Sequence, residues 1–200
     1  MVKRLFDLLL SALGLLLLSP LLLAVALAVR LDSPGPVLFR QQRVGRFGRI
    51  FRIHKFRSMR VDASAVGPAI TVGIDPRVTR VGHALRHYRL DELPQLIDVL
   101  LGHMSLVGPR PEVPRFVAHY PEALRQRVLT VRPGITDPAA LQFIDEAQLL
   151  AGAADPQAMY IETILPRKLA CQAEYAERAT LLSDLAVLAR TLRLLMTRRP

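Results

Sequence analysis

The sequence predicts an α+β protein that is mostly helical, with a small antiparallel β-hairpin and a membrane helix at its N-terminus. Three observations predict this class: residues 8–29 carry no formal charge, two short strand-like segments flank a glycine-containing loop, and leucines recur at helical spacing in later segments. The 200 residues, 51% hydrophobic and 22% charged, suffice for one folded domain and exclude a disordered chain. A single cysteine, Cys171, excludes an internal disulfide framework.

The N-terminal apolar segment admits three interpretations. As a helix, residues 8–29 would be about 33 Å long, which is enough to cross the hydrocarbon core of a bilayer. The segment is therefore a spanning helix, the apolar part of a cleaved signal peptide, or a helix that enters the membrane and turns back. Ser19 and Pro20 lie in its middle, where the proline removes the hydrogen bond to the carbonyl of Leu16 and kinks or breaks the helix.

Basic residues flank this segment on both sides. Lys3 and Arg4 precede it, whereas Arg30 and an arginine-rich stretch over residues 40–60 follow it. Because basic flanks favour the cytoplasmic side of a membrane, both ends are expected there. A helix that turns back within the membrane meets this requirement, and a straight span does not.

These features favour a re-entrant membrane helix over residues 1–32, broken at Ser19 and Pro20. No second apolar run reaches membrane-spanning length, so residues 33–200 are predicted to form a cytoplasmic domain that lies against the membrane. The straight span stays open as the alternative, and the signal peptide is the third interpretation.

The remaining elements follow from residue spacing. Residues 37–42 and 50–56 are predicted strands, and the intervening Gly45 and Gly48 predict a hairpin. A helix is expected to start near Asp91, because the apolar residues that follow are spaced for a helix and Pro94 is tolerated only in a first turn.

A leucine stripe from Leu181 to Leu195 predicts a C-terminal helix whose other faces carry Arg190 and Arg193. Such a helix either packs on the core with a solvated face or lies in the membrane interface as an amphipathic helix. The N-terminal membrane segment favours the interfacial helix.

The adjacent carboxylates Asp91 and Glu92 are the main candidates for chemistry. They stand at a predicted helix start, where the helix dipole favours ionised carboxylates, and Arg86 and Arg89 flank them. An ionised aspartate can attack phosphorus or hold a divalent cation. The alternative from the pattern alone is that Asp91 only caps the helix.

Further cations could bind phosphate. Lys55 and Arg57 lie at the end of the second predicted strand, and Arg110 stands between Pro109 and Pro111 in a rigid loop. The alternatives are a solvated basic strand face or contact with anionic lipid headgroups for the first two, and a simple turn for the third.

Four stretches in this order resemble the bacterial sugar transferase family, and within it the small monotopic phosphoglycosyl transferases. They are residues 3–20, which end in Ser19-Pro20; 33–59, with Lys55 and Arg57; 79–114, with Arg86, Asp91, Glu92 and Arg110; and 132–143, RPGITDPAALQF. The family more commonly has Gly-Leu-Ala-Gln after RPGIT. Here Asp137-Pro138-Ala139-Ala140 stands instead, which resembles one sub-branch of the small enzymes and leaves the sugar specificity open.

The resemblance implies an activity and a location. A nucleoside-diphosphate sugar, usually UDP-linked, gives its sugar-1-phosphate to a polyprenyl phosphate, such as undecaprenyl phosphate, and UMP is released. This is the first membrane step in building a glycoconjugate or exopolysaccharide, and it takes place at the cytoplasmic face of the bacterial inner membrane.

The resemblance also implies roles for the candidate residues. The aspartate of the family's dyad, here Asp91, attacks the sugar-side phosphorus and forms a covalent phosphosugar-enzyme, which the polyprenyl phosphate then attacks. Glu92 completes the dyad, and Mg²⁺ is the expected cofactor with Asp91 as a ligand. Arg86 and Arg110 match phosphate-binding positions of the family, and Lys55 and Arg57 are further candidates.

A non-enzymatic alternative is a membrane-anchored basic protein that binds nucleic acid or anionic lipid, which the net charge of +10 would suit. Its aromatic residues are few and are not interleaved as stacking platforms, so nucleic acid is not expected as a partner. The expected partners are a UDP-sugar, a polyprenyl phosphate and membrane lipids. The identity of the sugar and of the glycan, and the formation of a homodimer, stay open.

Overall fold

The computed structural model describes residues 1–63, 75–143 and 146–197, and it confirms the predicted α+β class with helices dominant. The helices described are α1 (Val2–Asp32), α2 (Arg80–His87), α3 (Gln95–Leu100), α4 (Pro114–Val117), α5 (Glu122–Val128), α6 (Pro138–Gln142), α7 (Glu146–Ala151), α8 (Pro156–Met159), α9 (Leu165–Arg178) and α10 (Leu181–Thr197). The strands described are β1 (Leu38–Phe39), β2 (Gln42–Val44), β3 (Ile50–Arg52), β4 (Lys55–Phe56), β5 (Ser105–Val107) and β6 (Gly134–Thr136).

Helix α1 contains Pro20 and continues past it, so the helical structure is not interrupted at the expected break. The reason lies in the preceding residue. Pro20 has no N–H for the carbonyl of Leu16, and the hydroxyl of Ser19 donates to that same carbonyl over 2.8 Å. Ser19 thus replaces the hydrogen bond that the proline removes, which lets the helix extend over 31 residues.

Both ends of α1 are attached to the rest of the chain. Near its start, the buried carboxylate of Asp7 accepts hydrogen bonds from the hydroxyl of Ser105 (2.8 Å) and the N–H of Leu106 (3.2 Å). Near its end, the carboxylate of Asp32 accepts from the N–H of Val81 over 3.0 Å. The middle of the helix packs too, since a Cβ added to Gly14 would lie 3.3 Å from Leu96. The helix therefore lies along the domain over its whole length.

The opposite face of α1 is apolar and exposed. It presents leucines from both halves of the helix, among them Leu5, Leu9, Leu16, Leu23 and Leu27. The helix is long and apolar enough to cross a membrane, and only 11% of its most hydrophobic 18-residue window is buried. A soluble protein rarely exposes so large an apolar surface, so this face fits association with a membrane.

The predicted hairpin is confirmed as one antiparallel ribbon in two pieces. Strand β1 pairs with β4 and β2 pairs with β3, from Leu38 opposite Phe56 to Val44 opposite Ile50, so the register is unbroken. The turn at Gly45 and Gly48 contains a short 3₁₀ segment in which Gly48 has a φ of 76°.

A second, parallel pair was not predicted. Strands β5 and β6 pair with Ser105 opposite Gly134 and Val107 opposite Thr136. Just beyond β5 the backbones approach so closely that a Cβ on Gly134 would lie 2.1 Å from the amide nitrogen of Gly108. This pair fixes the position of the proline-rich loop that follows β5.

The C-terminal helix α10 is confirmed, with Asp184 and Val187 buried. Its leucine stripe is divided between two surfaces. Leu188 packs on a core cluster that contains Val99 and Tyr175, whereas Leu185 and Leu192 are exposed. Part of the predicted stripe is thus core, and part is an apolar surface.

Candidate active site

Asp91 and Glu92 lie in a 3₁₀ turn, Leu90–Glu92, that leads through Pro94 into α3. The predicted helix start near Asp91 is thereby confirmed, with a tighter first turn than expected. Arg89, just before the turn, has a φ of 53° in the left-handed region. No capping hydrogen bond to the turn comes from a side chain, so the interpretation of Asp91 as a helix cap is wrong. Both carboxylates are buried, with exposed fractions of 2% and 6%.

Lys55 stands next to both carboxylates. Strand β4 places its Nζ 2.8 Å from Oδ2 of Asp91 and 3.4 Å from Oε1 of Glu92. One ammonium group therefore bridges the pair, which lowers the repulsion between two adjacent negative charges.

Arg110 binds Glu92 from the other side. Its two terminal nitrogens reach both carboxylate oxygens, NH1 to Oε2 over 3.3 Å and NH2 to Oε1. Arg89 also contacts Oε2 of Glu92, over 3.4 Å. The backbone of Arg110 is fixed as well, because its N–H donates to the buried carboxylate of Asp137 over 2.8 Å. The predicted rigid setting of Arg110 is thus completed by a hydrogen bond from outside the loop.

These contacts set the charge of Glu92. Burial alone would raise the pKa of its carboxyl group, but the charges of Arg110 and Lys55 outweigh burial and hold the pKa well below its usual value. The same partnership raises the pKa of the Arg110 guanidinium, mainly through the charge of Glu92. Glu92 therefore stays ionised to a lower pH than a free glutamate, and its charge is neutralised by its partners.

Arg86 lies in α2 beside the same cluster. Burial lowers the pKa of its guanidinium, and the charge of Asp91 acts in the opposite direction. Together with Lys55, Arg89 and Arg110 it makes four cations against two carboxylates. Asp75 also acts on Arg86, and Glu112 and Asp137 act on Arg110. The four cations that surround the pair suit an anionic ligand such as a phosphate.

The structure does not bring Arg57 to this cluster. Its guanidinium donates to the carbonyl of Pro36 over 2.6 Å and to the hydroxyl and carbonyl of Ser33 over 2.6 and 2.8 Å. A further contact reaches the carbonyl of Val29 near the end of α1. Arg57 thus fastens the membrane helix to the ribbon and has its donors committed away from the dyad.

Sequence reasoning missed two buried aspartates that support the site. Asp98, fully buried in α3, binds His54, and Asp137 binds Arg110 and caps α6. Asp98 follows Asp91 by seven residues, or two helical turns, and this spacing was the one available signal.

The arrangement suits nucleophilic attack on a phosphate. Glu92 is held by three cations, whereas Asp91 is contacted by the Lys55 ammonium, so the two adjacent carboxylates have different environments. An anionic nucleophile can approach an anionic phosphate only where nearby positive charge offsets the repulsion. Within residues 1–63, 75–143 and 146–197, no group of three or more His, Cys, Asp or Glu side chains encloses a metal site.

The chain matches the bacterial sugar transferase family over residues 1–198. It is 38% identical over 197 residues to a UDP-glucose:undecaprenyl-phosphate glucose-1-phosphate transferase of Caulobacter vibrioides, an alignment that covers 98% of this chain and 70% of that protein. It is 57% identical over 110 residues to the exopolysaccharide production protein PSS of Rhizobium leguminosarum, covering 54% of this chain and 55% of that protein.

A transferase of Escherichia coli with the same name as the Caulobacter protein is 48% identical over 138 residues, 68% of this chain and 30% of that protein. The chain thus spans about half or less of the length of several of these relatives. The match over nearly the whole chain, and the dyad in its cationic setting, assign it to a family: this protein belongs to the bacterial sugar transferases.

Proposed function

We propose that this protein transfers a sugar-1-phosphate from a UDP-sugar to a polyprenyl phosphate and releases UMP. The observation that carries the proposal is the buried Asp91–Glu92 pair surrounded by Lys55, Arg89, Arg110 and Arg86. The printed names of the Caulobacter and Escherichia coli relatives, which specify undecaprenyl phosphate and UDP-glucose, support the substrate classes.

Asp91 is the nucleophile in the first step. A carboxylate oxygen of Asp91 bonds to the sugar-side phosphorus, and the bond from that phosphorus to the bridging oxygen breaks, so that UMP leaves with the electron pair. The sugar phosphate remains on Asp91 as an acyl phosphate. Glu92 does not compete as a nucleophile because Arg110, Lys55 and Arg89 hold both of its oxygens.

In the second step an oxygen of the polyprenyl phosphate bonds to the same phosphorus. The bond from phosphorus to Asp91 breaks, which restores the carboxylate and gives a polyprenyl diphosphate sugar. Arg86, Arg110 and Lys55 are assigned to offset the charge of the phosphate oxygens in both steps, which their contacts with the Asp91–Glu92 pair support.

Mg²⁺ is part of the proposal, and the donor set fits it. Magnesium prefers carboxylate oxygens and is commonly held by one or two carboxylates together with substrate phosphates. Asp91 supplies such a ligand, whereas the oxygens of Glu92 are committed to cations. When bound, the ion would supply further positive charge to the phosphate oxygens.

The membrane helix is proposed to be re-entrant, with the active site on the cytoplasmic face of the bacterial inner membrane. The hydrogen bonds of Asp7 near one end and Asp32 at the other attach both ends of α1 to one domain, which supports a common side for both. In this proposal the bend is assigned to Pro20, because sharp helix kinks are usually found at proline. The site then lies beside the lipid phosphate and meets the soluble nucleotide sugar.

Helix α10 is proposed to lie in the membrane interface. Its exposed Leu182, Leu185 and Leu192 can enter the headgroup boundary, and Arg190 and Arg193 can meet anionic lipid.

A UMP-release assay tests the proposed activity. Purified protein in lipid nanodiscs is given polyprenyl phosphate, Mg²⁺ and each of a panel of UDP-sugars. We expect UMP release with at least one UDP-sugar, dependent on the lipid phosphate and lost in Asp91→Asn. The matched control is Asp184→Asn, a buried carboxylate that binds Tyr175 and Lys3 and should retain turnover. No release with any UDP-sugar, or equal release by Asp91→Asn, would reject the proposal.

A further inference from the structure

The fully buried carboxylate of Asp98 has no role in the transfer steps above, yet it faces the ribbon beside the dyad. Oδ2 of Asp98 accepts the backbone N–H of His54 over 2.8 Å, and Oδ1 lies 2.8 Å from Nδ1 of the His54 ring. Both contacts fall on the residue immediately before Lys55, whose ammonium bridges Asp91 and Glu92.

The ribbon register explains why His54 needs this partner. Ile53 donates to Gln41 and Arg57 donates to Val37, so the odd-numbered residues of this segment turn their N–H groups toward the neighbouring strand. Successive backbone N–H groups of a strand point to opposite edges, so the N–H of His54 faces away from that strand. Asp98 occupies this free edge and takes the place of a pairing strand.

The same short segment carries Asp98 and the dyad. Asp91 and Glu92 lie in the turn before α3, and Asp98 lies within α3. The segment therefore holds the ribbon at two adjacent points, through His54 by Asp98 and through Lys55 by the dyad. Strand pairing holds the other edge of this segment, so loss of the first contact would leave the N–H of His54, next to Lys55, without its acceptor on the edge that faces the dyad.

We infer that Asp98 is a positioning residue: through His54 it holds the Lys55 ammonium against Asp91 and Glu92. The contacts with His54 and Lys55 carry this inference, and its catalytic consequence rests on the proposed function. Asp98 itself does not touch the phosphate groups. Its replacement by Asn keeps an acceptor for the N–H of His54 and offers the ring a donor, so that variant should preserve the arrangement.

Lysine reactivity tests the inference without any need for turnover. The sequence has three lysines, Lys3, Lys55 and Lys168, which a short pulse of an amine-acetylating reagent followed by peptide mass spectrometry can follow separately. We expect Asp98→Ala to raise acetylation of Lys55 about tenfold, the scale of one lost buried hydrogen bond, and Asp98→Asn to leave it unchanged. The matched control Asp184→Ala removes the partner of Lys3, so it should raise the acetylation of Lys3 and leave that of Lys55 unchanged.

Unchanged Lys55 acetylation in Asp98→Ala, or the same rise in Asp98→Asn as in Asp98→Ala, overturns the inference. Asp98→Ala could raise the acetylation of all three lysines by unfolding the protein. In that case Asp98→Leu, which fills the volume but offers no acceptor, is tested by the same criterion.

UMP release gives a second, independent measurement. In a Lys55→Met background, Asp98→Ala should lower kcat no further, whereas Asp184→Ala should change kcat by the same factor in both backgrounds.

Failure of the proposed function is distinguishable from failure of this inference. Without the transferase activity, the wild type releases no UMP, and the acetylation of Lys55 still reports on Asp98. If the enzyme is active and the kcat losses of Asp98→Ala and Lys55→Met multiply in the double variant, the positioning role of Asp98 is rejected while the proposed function stands.

Discussion

At the scale of single residues, the two adjacent carboxylates Asp91 and Glu92 have different surroundings. Glu92 is bound by Arg110, Lys55 and Arg89, whereas Asp91 is contacted by the Lys55 ammonium and interacts with the charge of Arg86. Adjacent carboxylates repel one another, so one of them must be neutralised if both are to remain ionised. Glu92 is the better neutralised of the two, and the proposed function therefore assigns the nucleophilic attack to Asp91.

The low pKa of Glu92 predicts how stability depends on pH. Its pKa is about 4.3 in an unfolded chain and well below that when folded. The ionised pair therefore contributes its full stability above about pH 4.3 and loses it as the pH falls through the folded pKa. We expect the urea midpoint of wild type to fall more steeply below about pH 4.5 than that of Glu92→Gln. Equal slopes would mean that Arg110 and Lys55 do not hold Glu92 ionised.

The activity is predicted to depend on the planar guanidinium group of Arg110, and its positive charge alone is not expected to suffice. It reaches both oxygens of Glu92, and a lysine can supply only a point charge. We expect Arg110→Ala to lower kcat about 100-fold or more and Arg110→Lys about tenfold, on the scale of lost charge-stabilising donors. Exposed Arg125, which lies in α5 outside the cluster, provides the control substitution to Ala. Equal activity of wild type and Arg110→Ala would remove Arg110 from the site.

The sequence predicted some site residues and not others for physical reasons. Lys55 and Arg57 both stand at the end of a predicted strand, so the sequence treated them alike as phosphate-binding candidates. Strand β4 ends at Phe56, and Arg57 turns to backbone carbonyls at the end of α1. Carbonyl partners leave no trace in a sequence, so spacing alone could not separate the two cations.

At the scale of elements, α1 shows how a proline is accommodated in a helix. The Ser19 hydroxyl satisfies the carbonyl of Leu16 that Pro20 cannot reach, so the helix continues. The sequence predicted a kink or break at Pro20 that Ser19 could only partly repair. How complete the repair is depends on a side-chain rotamer, which a sequence does not show.

Pro20→Ala is predicted to change the course of α1. The alanine restores the hydrogen bond to Leu16 and removes a helix penalty of about 3 kcal/mol, so a straight helix becomes more favourable. We expect a measurable fraction of molecules to place their N-terminus across the membrane, and a larger fraction when Asp7→Leu also removes the contacts to Ser105 and Leu106. Reaction of a cysteine at Val2 with an impermeant maleimide measures this fraction. An unchanged orientation in the double variant would show that Pro20 does not set the topology.

The ribbon and the parallel pair differ in how far they could be predicted. Alternating residues and two glycines indicated the ribbon, because its strands are close in sequence. Strands β5 and β6 are three residues each and separated by more than twenty residues, so no local pattern joins them. Their pairing depends on the close approach of Gly108 and Gly134, which a reader of the sequence sees only as two glycines.

At the scale of the whole molecule, the apolar face of α1 and the polar anchors at its two ends predict one topology. Cysteines introduced at Val2 and Arg40, in a Cys171→Ser background, should resist an impermeant maleimide in intact cells. Both should react in inverted membrane vesicles, because both ends of α1 are expected on the cytoplasmic face. Labelling of the Val2 cysteine in intact cells would instead establish a straight span.

The most direct test of the account is the product of UDP-sugar and enzyme without any lipid acceptor. With the UDP-sugar that supports turnover and Mg²⁺, but no polyprenyl phosphate, we predict release of UMP in proportion to enzyme and a sugar phosphate attached to the protein. Peptide mass spectrometry should locate it on Asp91, and Asp91→Asn should form none. Full turnover with lipid but no adduct on Asp91, or an adduct that persists in Asp91→Asn, would contradict the role of Asp91 as the nucleophile.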